Sequence, residues 1–432
     1  MNRPRSSCRL VFTDARFVFA KRSYPGVPLL VDAAHQFVEP ACDYLRWRVV
    51  YGHLSPSSAK TYAESLLHFW NFLHAQGHSY DEVNDKIFLE WLNAQSHTSD
   101  STRAARCDAV FEMYVWLETE GYIQHVVRIP GVNDDKIFTP RLSARVTRGG
   151  HRGRGRFRFG IVSALRPPQT APGILYTPDT VDIGRLHAAV AAASTSDVVE
   201  RNHLLIDWYL QTGVRRIEWC SLTVDQIPPW SEIDSAQESF QVREILLTAT
   251  KGGRPRYAGV LPELLERTRE YIDGPRAQLV ARFRERYRSG YREPKEVFLS
   301  SKTGRGLRAK AITNLLSHLF TSANVEGHGH RLRATYLTRL FEAELMVEYA
   351  RVAANPGALH HVDLELVLRR VAERAGHRDP ESLRPYLTVA RKRIARSAEM
   401  EKLLTVQQQL QAKLDALAYT EEQLKARQIS LN

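Results

Sequence analysis

Cysteine is scarce and scattered in this chain: Cys8, Cys42, Cys107 and Cys220 are the only four in 432 residues, and no two form a CxxC pair. That spacing argues against a cysteine-rich zinc module or a disulfide framework and fits a reducing cytoplasm. Long apolar runs are also missing; none approaches the ~20 residues that a membrane span requires. The opening stretch MNRPRSSCRLVFTDARFVFAKR lacks an uninterrupted apolar core before a cleavage site, so it does not read as a signal peptide. A cytoplasmic protein with no membrane partner is the expectation. Acidic residues are the minority charge, 48 against 60 Lys and Arg, which gives a formal charge of +12. Such an excess favours polyanionic partners, nucleic acid first and an acidic membrane surface second. With 43% hydrophobic and 25% charged residues the composition is that of an ordinary folded protein, and the length suggests about two or three domains.

The pattern along the chain divides it into five stretches. Residues 1–27 read as an N-terminal extension and 28–130 as a helical domain. In SPSSAKTYAESLLHFWNFLHAQG the residues Tyr62, Leu66, Phe69, Trp70 and Leu73 share one helical face, with Ser57 or Ser58 as cap and Gly77 as stop. Ile87, Leu89, Trp91 and Leu92 mark a shorter helix, and Val110, Phe111, Tyr114 and Leu117 stripe another that ends at Gly121. These apolar residues are read as core. Residues 131–175 form an Arg/Gly-rich linker: RLSARVTRGGHRGRGRFR, from Arg141 to Arg158, carries seven arginines and no acid. Such a stretch cannot bury a core. Arg145, Arg148, Arg152, Arg154, Arg156 and Arg158 are candidates to lie along phosphates; a solvated hinge or basic hairpin is the plainer reading.

Residues 176–395 begin a second domain, where Thr177 or Asp179 can cap a helix. A helix over about 200–212 turns at Gly213, and SFQVREILLTAT and RYAGVLP form a strand pair around KGGRP. Helices dominate from Ala309. In the tail, 396–432, Leu403, Leu410, Leu417 and Leu424 keep heptad spacing, but the companion positions are only half apolar. A short amphipathic helix docking on this chain or a neighbour fits better than a coiled coil.

Four pieces of the second domain carry chemistry. TGVRRIEWCSLTVDQI sets Arg215 after a glycine turn, with Glu218 three residues on. TATKGGRPRYAGVLP places Lys251 at a hairpin tip. HGHRLRATYLTRLF gives His330 and Arg333, and AGHRDPESLRPYLTVA sets His377 and Tyr386 nine residues apart. In this order the four resemble the boxes of the tyrosine recombinase, or phage integrase, family over about residues 176–390. The helical first domain resembles that family's core-binding domain in a generic way.

The resemblance implies a mainly α fold with a small β element: a helical core-binding domain plus a catalytic domain, closing as a C-shaped clamp on duplex DNA. It also implies a reaction. Tyr386 attacks a backbone phosphorus and forms a 3′-phosphotyrosyl ester, leaving a free 5′-hydroxyl. Arginine offers a planar, permanently charged fork for phosphate, so Arg215 and Arg333 are the candidate clamp on the transition state. His330 stands one helical turn from Arg333 and is suited to proton exchange. Lys251 is the candidate general acid and His377 an auxiliary donor to the phosphate. No cofactor and no metal are expected. The partners implied are double-stranded DNA with specific recombination sites, three further copies in a tetramer, and accessory DNA-bending or transposition proteins. Integration, excision or transposition of a mobile element is the role implied; a type IB topoisomerase-like relaxing enzyme and a non-catalytic DNA-binding regulator are the alternatives.

Each residue also has a plainer reading. Arg215 could simply pair with Glu218, Lys251 could be a solvated turn residue, and Tyr336 or Tyr349 could compete with Tyr386. His328 and His330 form an HxH pair with no cysteine or third histidine nearby to make a metal site. The chain departs from the family where Ala334 replaces a common histidine, Leu383 a frequent threonine, and Pro385 precedes the tyrosine. The interval from Arg333 to His377, 44 residues, is long for the family and should lengthen helices or add a loop.

Overall fold

The computed structural model describes residues 8–133, 137–146, 160–168, 176–195, 198–250, 255–354, 362–397, 401–403, 405–414 and 417. The chain divides into two compact units, Met1–Ala171 and Pro172–Asn432. Both are mainly helical, and the strands among the described residues pair only as two-stranded antiparallel sheets.

The first unit starts with β1 (Arg9–Phe12), β2 (Val18–Phe19), β3 (Arg22–Ser23) and β4 (Pro28–Val31), with β1 paired to β4 and β2 to β3. The stretch read as an extension is thus part of the folded unit: Cys8 and Val27 are buried, and the Cys8 amide donates to Asn71 Oδ1 at 2.8 Å. Four helices follow, α1 (Glu39–Val50), α2 (Pro56–Gln76), α3 (Asp85–Asn93) and α4 (Asp100–Thr119). Ser55 caps α2 rather than Ser57 or Ser58, because Pro56 has its φ fixed for the first helical position. Gly77 ends that helix at φ 71°, a conformation glycine adopts without a Cβ penalty.

Leu66, Phe69, Trp70 and Leu73 of α2 meet Phe88 and Trp91 of α3 and Val110, Phe111, Tyr114 and Leu117 of α4 in one core. The Phe69 and Trp91 rings pack edge to face at 4.9 Å. Leu89, expected with its neighbours in the core, is exposed; it lies two positions from both Ile87 and Trp91, on the opposite side of the helix. The ends of the basic stretch also fold here. β5 (Ala144–Val146) pairs with β6 (Ile161–Ser163), Leu142 and Ile161 join the core, and Arg166 forks onto Asp108 at 2.7 and 2.9 Å.

In the second unit α5 (Thr180–Ala193) opens with a capping box between Asp179 and Asp182. Next come α6 (Val199–Thr212), α7 (Arg216–Cys220), α8 (Trp230–Glu238) and the hairpin of β7 (Arg243–Leu247) with β8 (Arg256–Val260). Helices α9 (Pro262–Tyr271) and α11 (Ala309–Ser322) complete a core in which Trp219 stacks on Phe298 at 3.9 Å, while α10 (Ala277–Tyr287) buries Leu279, Val280 and Phe283 in a small cluster with Leu299. A neighbouring core joins α12 (His330–Ala353), α13 (Leu364–Arg374) and α14 (Arg384–Ile394) through Phe341, Leu345, Leu368, Val371 and Leu387. The long Arg333–His377 interval is accommodated mainly by α12, which continues from Arg333 to Ala353, and by α13. In the tail, residues 401–403 and 405–414 are helical, and Val406, Leu414 and Leu417 are exposed; Leu424 lies outside the described residues.

Candidate active site

Four elements of the second unit bring the charged groups together. Gly213 ends α6 at φ 58°, and a Cβ there would stand 2.2 Å from the ring of Tyr336, so only glycine lets the chain turn this close to α12. Two residues later Arg215 caps α7. Its amide donates to Glu218 Oε2 at 2.7 Å, its Nη1 to Glu218 Oε1 at 2.8 Å, and its Nη2 to the carbonyl of Gly376 at 3.2 Å. Glu218, only 1% exposed, also takes Arg256 of β8, with Nη2 at 2.7 Å and Nε at 3.3 Å.

Arg333, on the first turn of α12, is 3% exposed. Its Nη1 donates to the carbonyl of Gly213 and its Nη2 to that of Ala375 at 3.1 Å. One guanidinium thus joins the end of α6, the start of α12 and the end of α13. His330 lies one turn before it, accessible to solvent. His377 follows α13, its Nδ1 3.3 Å from Ser382 Oγ, while its Nε2 is buried without a hydrogen-bond partner. Tyr386, 8% exposed, sits on the first turn of α14 with its ring in the core beside Leu383 and Leu387.

Crowding of positive charge shapes the titration of these groups. Partial burial, then repulsion from Arg333, Arg215, Arg256 and His330, pushes His377 down to about 4. His330 is lowered by the same causes, burial first and Arg333 next. Both imidazoles are therefore neutral near pH 7, and the free Nε2 of His377 is available to a phosphate oxygen. Burial, reinforced by Arg215 and Arg256, lowers Arg333 to about 9, which still leaves it charged at neutral pH. The Glu218 carboxyl stays ionised at about 2: burial alone would raise it, but Arg256 and Arg215 outweigh that. Burial raises the Tyr386 phenol, while Arg333 and Arg331 pull it back. The phenol is therefore protonated at neutral pH.

These shifts predict how stability follows pH. His68 and His203, like His330 and His377, titrate below the usual 6.5 in the folded chain. The unfolded chain takes up protons first as pH falls below about 6.5, so stability drops from there toward about 4. Glu218 adds stability above its ordinary 4.5 that is lost from there toward about 2. Melting temperature should fall steadily from pH 7.5 to 4.5, with a shallower fall between 6.5 and 5 in His377→Gln; a flat or rising profile would contradict the burial of these groups.

Of the six candidate catalytic residues, Arg215, His330, Arg333, His377 and Tyr386 come to one region of the second unit. Lys251 lies outside the described residues, as do Arg148, Arg152, Arg154, Arg156 and Arg158, while Arg145 is exposed on β5. The pairing of Arg215 with Glu218 is present alongside its contact with Gly376. Tyr336 packs its ring on Gly213 and is also influenced by Arg333 and Arg256, so it shares the neighbourhood. Among the described residues no group of histidine, cysteine and carboxylate side chains could hold a metal ion.

Sequence reading missed Arg256 and the influence of Arg331 on Tyr386. A signal for Arg256 existed. In RYAGV the alternation that turns Ala258 and Val260 inward also turns Arg256 inward, and an inward arginine on a short strand needs a buried counter-charge.

Residues 182–353 match the model of the family described as the Phage integrase family. Among curated proteins none matches the sequence. Among solved structures, the chain is similar to the XerH site-specific recombinase bound to a palindromic difH substrate in a post-cleavage complex, at 16% identity and a TM-score of 0.50, with 81% of each chain covered. It is similar as well to the Tn1549 transposon integrase in complex with a circular intermediate DNA, at 15% identity and a TM-score of 0.50, over 83% of this chain and 98% of that one. At such identities these likenesses speak for the fold.

Proposed function

Because residues 182–353 place this chain in the phage integrase family, where it is a tyrosine-type site-specific recombinase, we propose that it cuts and rejoins duplex DNA through Tyr386. The phenol oxygen attacks the scissile phosphorus as the bond to the 5′-oxygen breaks. The product is a 3′-phosphotyrosyl ester and a free 5′-hydroxyl, and the reverse attack reseals a strand. The ester conserves the bond energy, so rejoining needs no nucleotide hydrolysis.

Arg215 and Arg333 bind the non-bridging oxygens as charge grows on them. His330, neutral at pH 7, accepts the phenol proton. Lys251 donates a proton to the leaving oxygen, and His377 donates a hydrogen bond from Nε2 to the phosphate. The observation that carries this reading is geometric: Arg215 reaches the carbonyl of Gly376 and Arg333 those of Gly213 and Ala375, which brings both guanidiniums beside His377.

The helices over 28–130 and the basic stretch 131–175 supply the rest of the DNA contact, with the arginines from 145 to 158 along the phosphates. Domain 176–395 performs the chemistry and the tail, 396–432, links copies in a tetramer. Specific recombination sites on a mobile element are the substrate; accessory DNA-bending or transposition proteins assist. Among the described residues no helix is long and apolar enough to cross a membrane, and a cytoplasmic, DNA-associated location suits this chemistry.

The test is covalent capture. The chain is incubated with a library of nicked genomic duplexes from its own source, denatured in detergent, and its adducts are sequenced and mapped by mass spectrometry. Recurrent DNA sites joined to Tyr386, with 5′-hydroxyl ends released, are the expected result. Absence of adducts, or adducts on Tyr336 or Tyr349, would overturn the assignment.

A further inference from the structure

Glu218 is a buried carboxylate with two arginine partners where one would neutralise it. Arg215 belongs to the cleavage reaction as proposed above; Arg256 has no part in it so far. Yet Arg256 closes a ring. It binds Glu218 at 2.7 Å, Glu218 binds Arg215 at 2.8 Å, and Arg215 donates to the Gly376 carbonyl at 3.2 Å. The stem of Arg256 then lies against Gly376 itself, where a Cβ would meet its Cδ at 2.5 Å. His377 is the next residue. The ring therefore fixes both the direction of the Arg215 fork and the backbone that presents the His377 imidazole. Two buried atoms here, Nη1 of Arg256 and Nε2 of His377, have no hydrogen-bond partner. Leaving such donors unpaired is unfavourable for folding alone, and this points to a site arranged for a ligand rather than for stability.

We infer that Arg256 is a positioning residue of strand cleavage: by sharing Glu218 with Arg215 and bracing Gly376, it sets Arg215 and His377 against the scissile phosphate. The inference rests on the recombinase reading. Its competitor is an ion pair that merely stabilises the fold, and the two differ in whether the rate falls while the protein stays folded. The charged or titratable groups facing that imidazole are Arg333 and His330 from α12, Arg215 from the start of α7 and Arg256 from β8, with the Ser382 hydroxyl at Nδ1. Removing the charge of Arg256 also raises the pH at which His377 takes a proton.

The experiment compares the full chain with Arg256→Ala and Arg256→Lys on a nicked duplex carrying a captured site. Site binding is read by gel shift, single-turnover covalent capture from pH 5 to 9, and folding by thermal melting. Arg256→Ala should bind within roughly threefold of wild type and lose roughly 100-fold in capture rate at pH 7. Arg256→Lys should recover at least roughly tenfold of the rate. Capture by Arg256→Ala within roughly threefold of wild type would overturn the inference. So would a loss that follows the folded fraction, with no rescue by lysine. If wild type itself forms no adduct, the recombinase reading falls and this inference with it.

Discussion

Tyr386→Phe is expected to leave folding and DNA binding intact while covalent capture falls by roughly 10⁴-fold or more, to background. The clean separation follows from how the side chain is held. Its ring is packed in the core with Leu383 and Leu387, a role phenylalanine fills without loss of volume. What acts on its hydroxyl is burial and the charges of Arg333 and Arg331, so its removal strands no buried group. The variant should therefore melt with wild type and shift the same DNA, and only the oxygen that becomes the ester is gone. A capture rate within tenfold of wild type would assign the nucleophile elsewhere. Because a neutral His330 takes the phenol proton and titrates below its ordinary 6.5, wild-type capture should quicken as the pH rises through the acid range and level off near neutrality.

Arg333 carries the second large effect, and here structure and chemistry do not separate. Arg333→Ala removes the cation from the clamp and leaves the carbonyls of Gly213 and Ala375 without their donor. Each buried carbonyl stranded this way costs about 1–3 kcal/mol, and the cleavage rate should fall by roughly 10³-fold or more. Arg333→Lys keeps the charge but not the fork, so one ammonium cannot serve two carbonyls and a phosphate at once. It should melt between wild type and alanine and still cleave roughly 100-fold slower than wild type. Melting and single-turnover capture, measured together, check both. A lysine variant with wild-type cleavage would mean that charge alone suffices.

Much of this site was legible because its residues sit at turns and helix starts. Gly213 stops α6 and delivers Arg215; β7 and β8 lie on either side of KGGRP; His330 and Arg333 share the first turn of α12. The nine-residue step from His377 to Tyr386 spans the end of α13, a short 3-10 turn over Pro380–Leu383 and the entry to α14. The second partner of Glu218 was not legible, since the pairing joins residues 38 apart in sequence on different elements. Nor were the carbonyls that hold Arg333, because a backbone acceptor leaves no mark on residue type. The N-terminal hairpins escaped for another reason. Strands of two to four residues are too short to show alternation, and what orders them is the packing of Leu30 and Val27.

The ring around Glu218 also sets an electrical balance. Three guanidiniums, of Arg215, Arg256 and Arg333, face one carboxylate, and with both imidazoles neutral this corner holds a surplus of two positive charges. A resting phosphodiester brings one negative charge; the five-coordinate phosphorus formed with a deprotonated nucleophile brings two. The phenol proton stays nearby on His330, so the second charge falls on phosphate oxygens that the guanidiniums already face, and the pocket favours a species that exists only while a strand is changing hands.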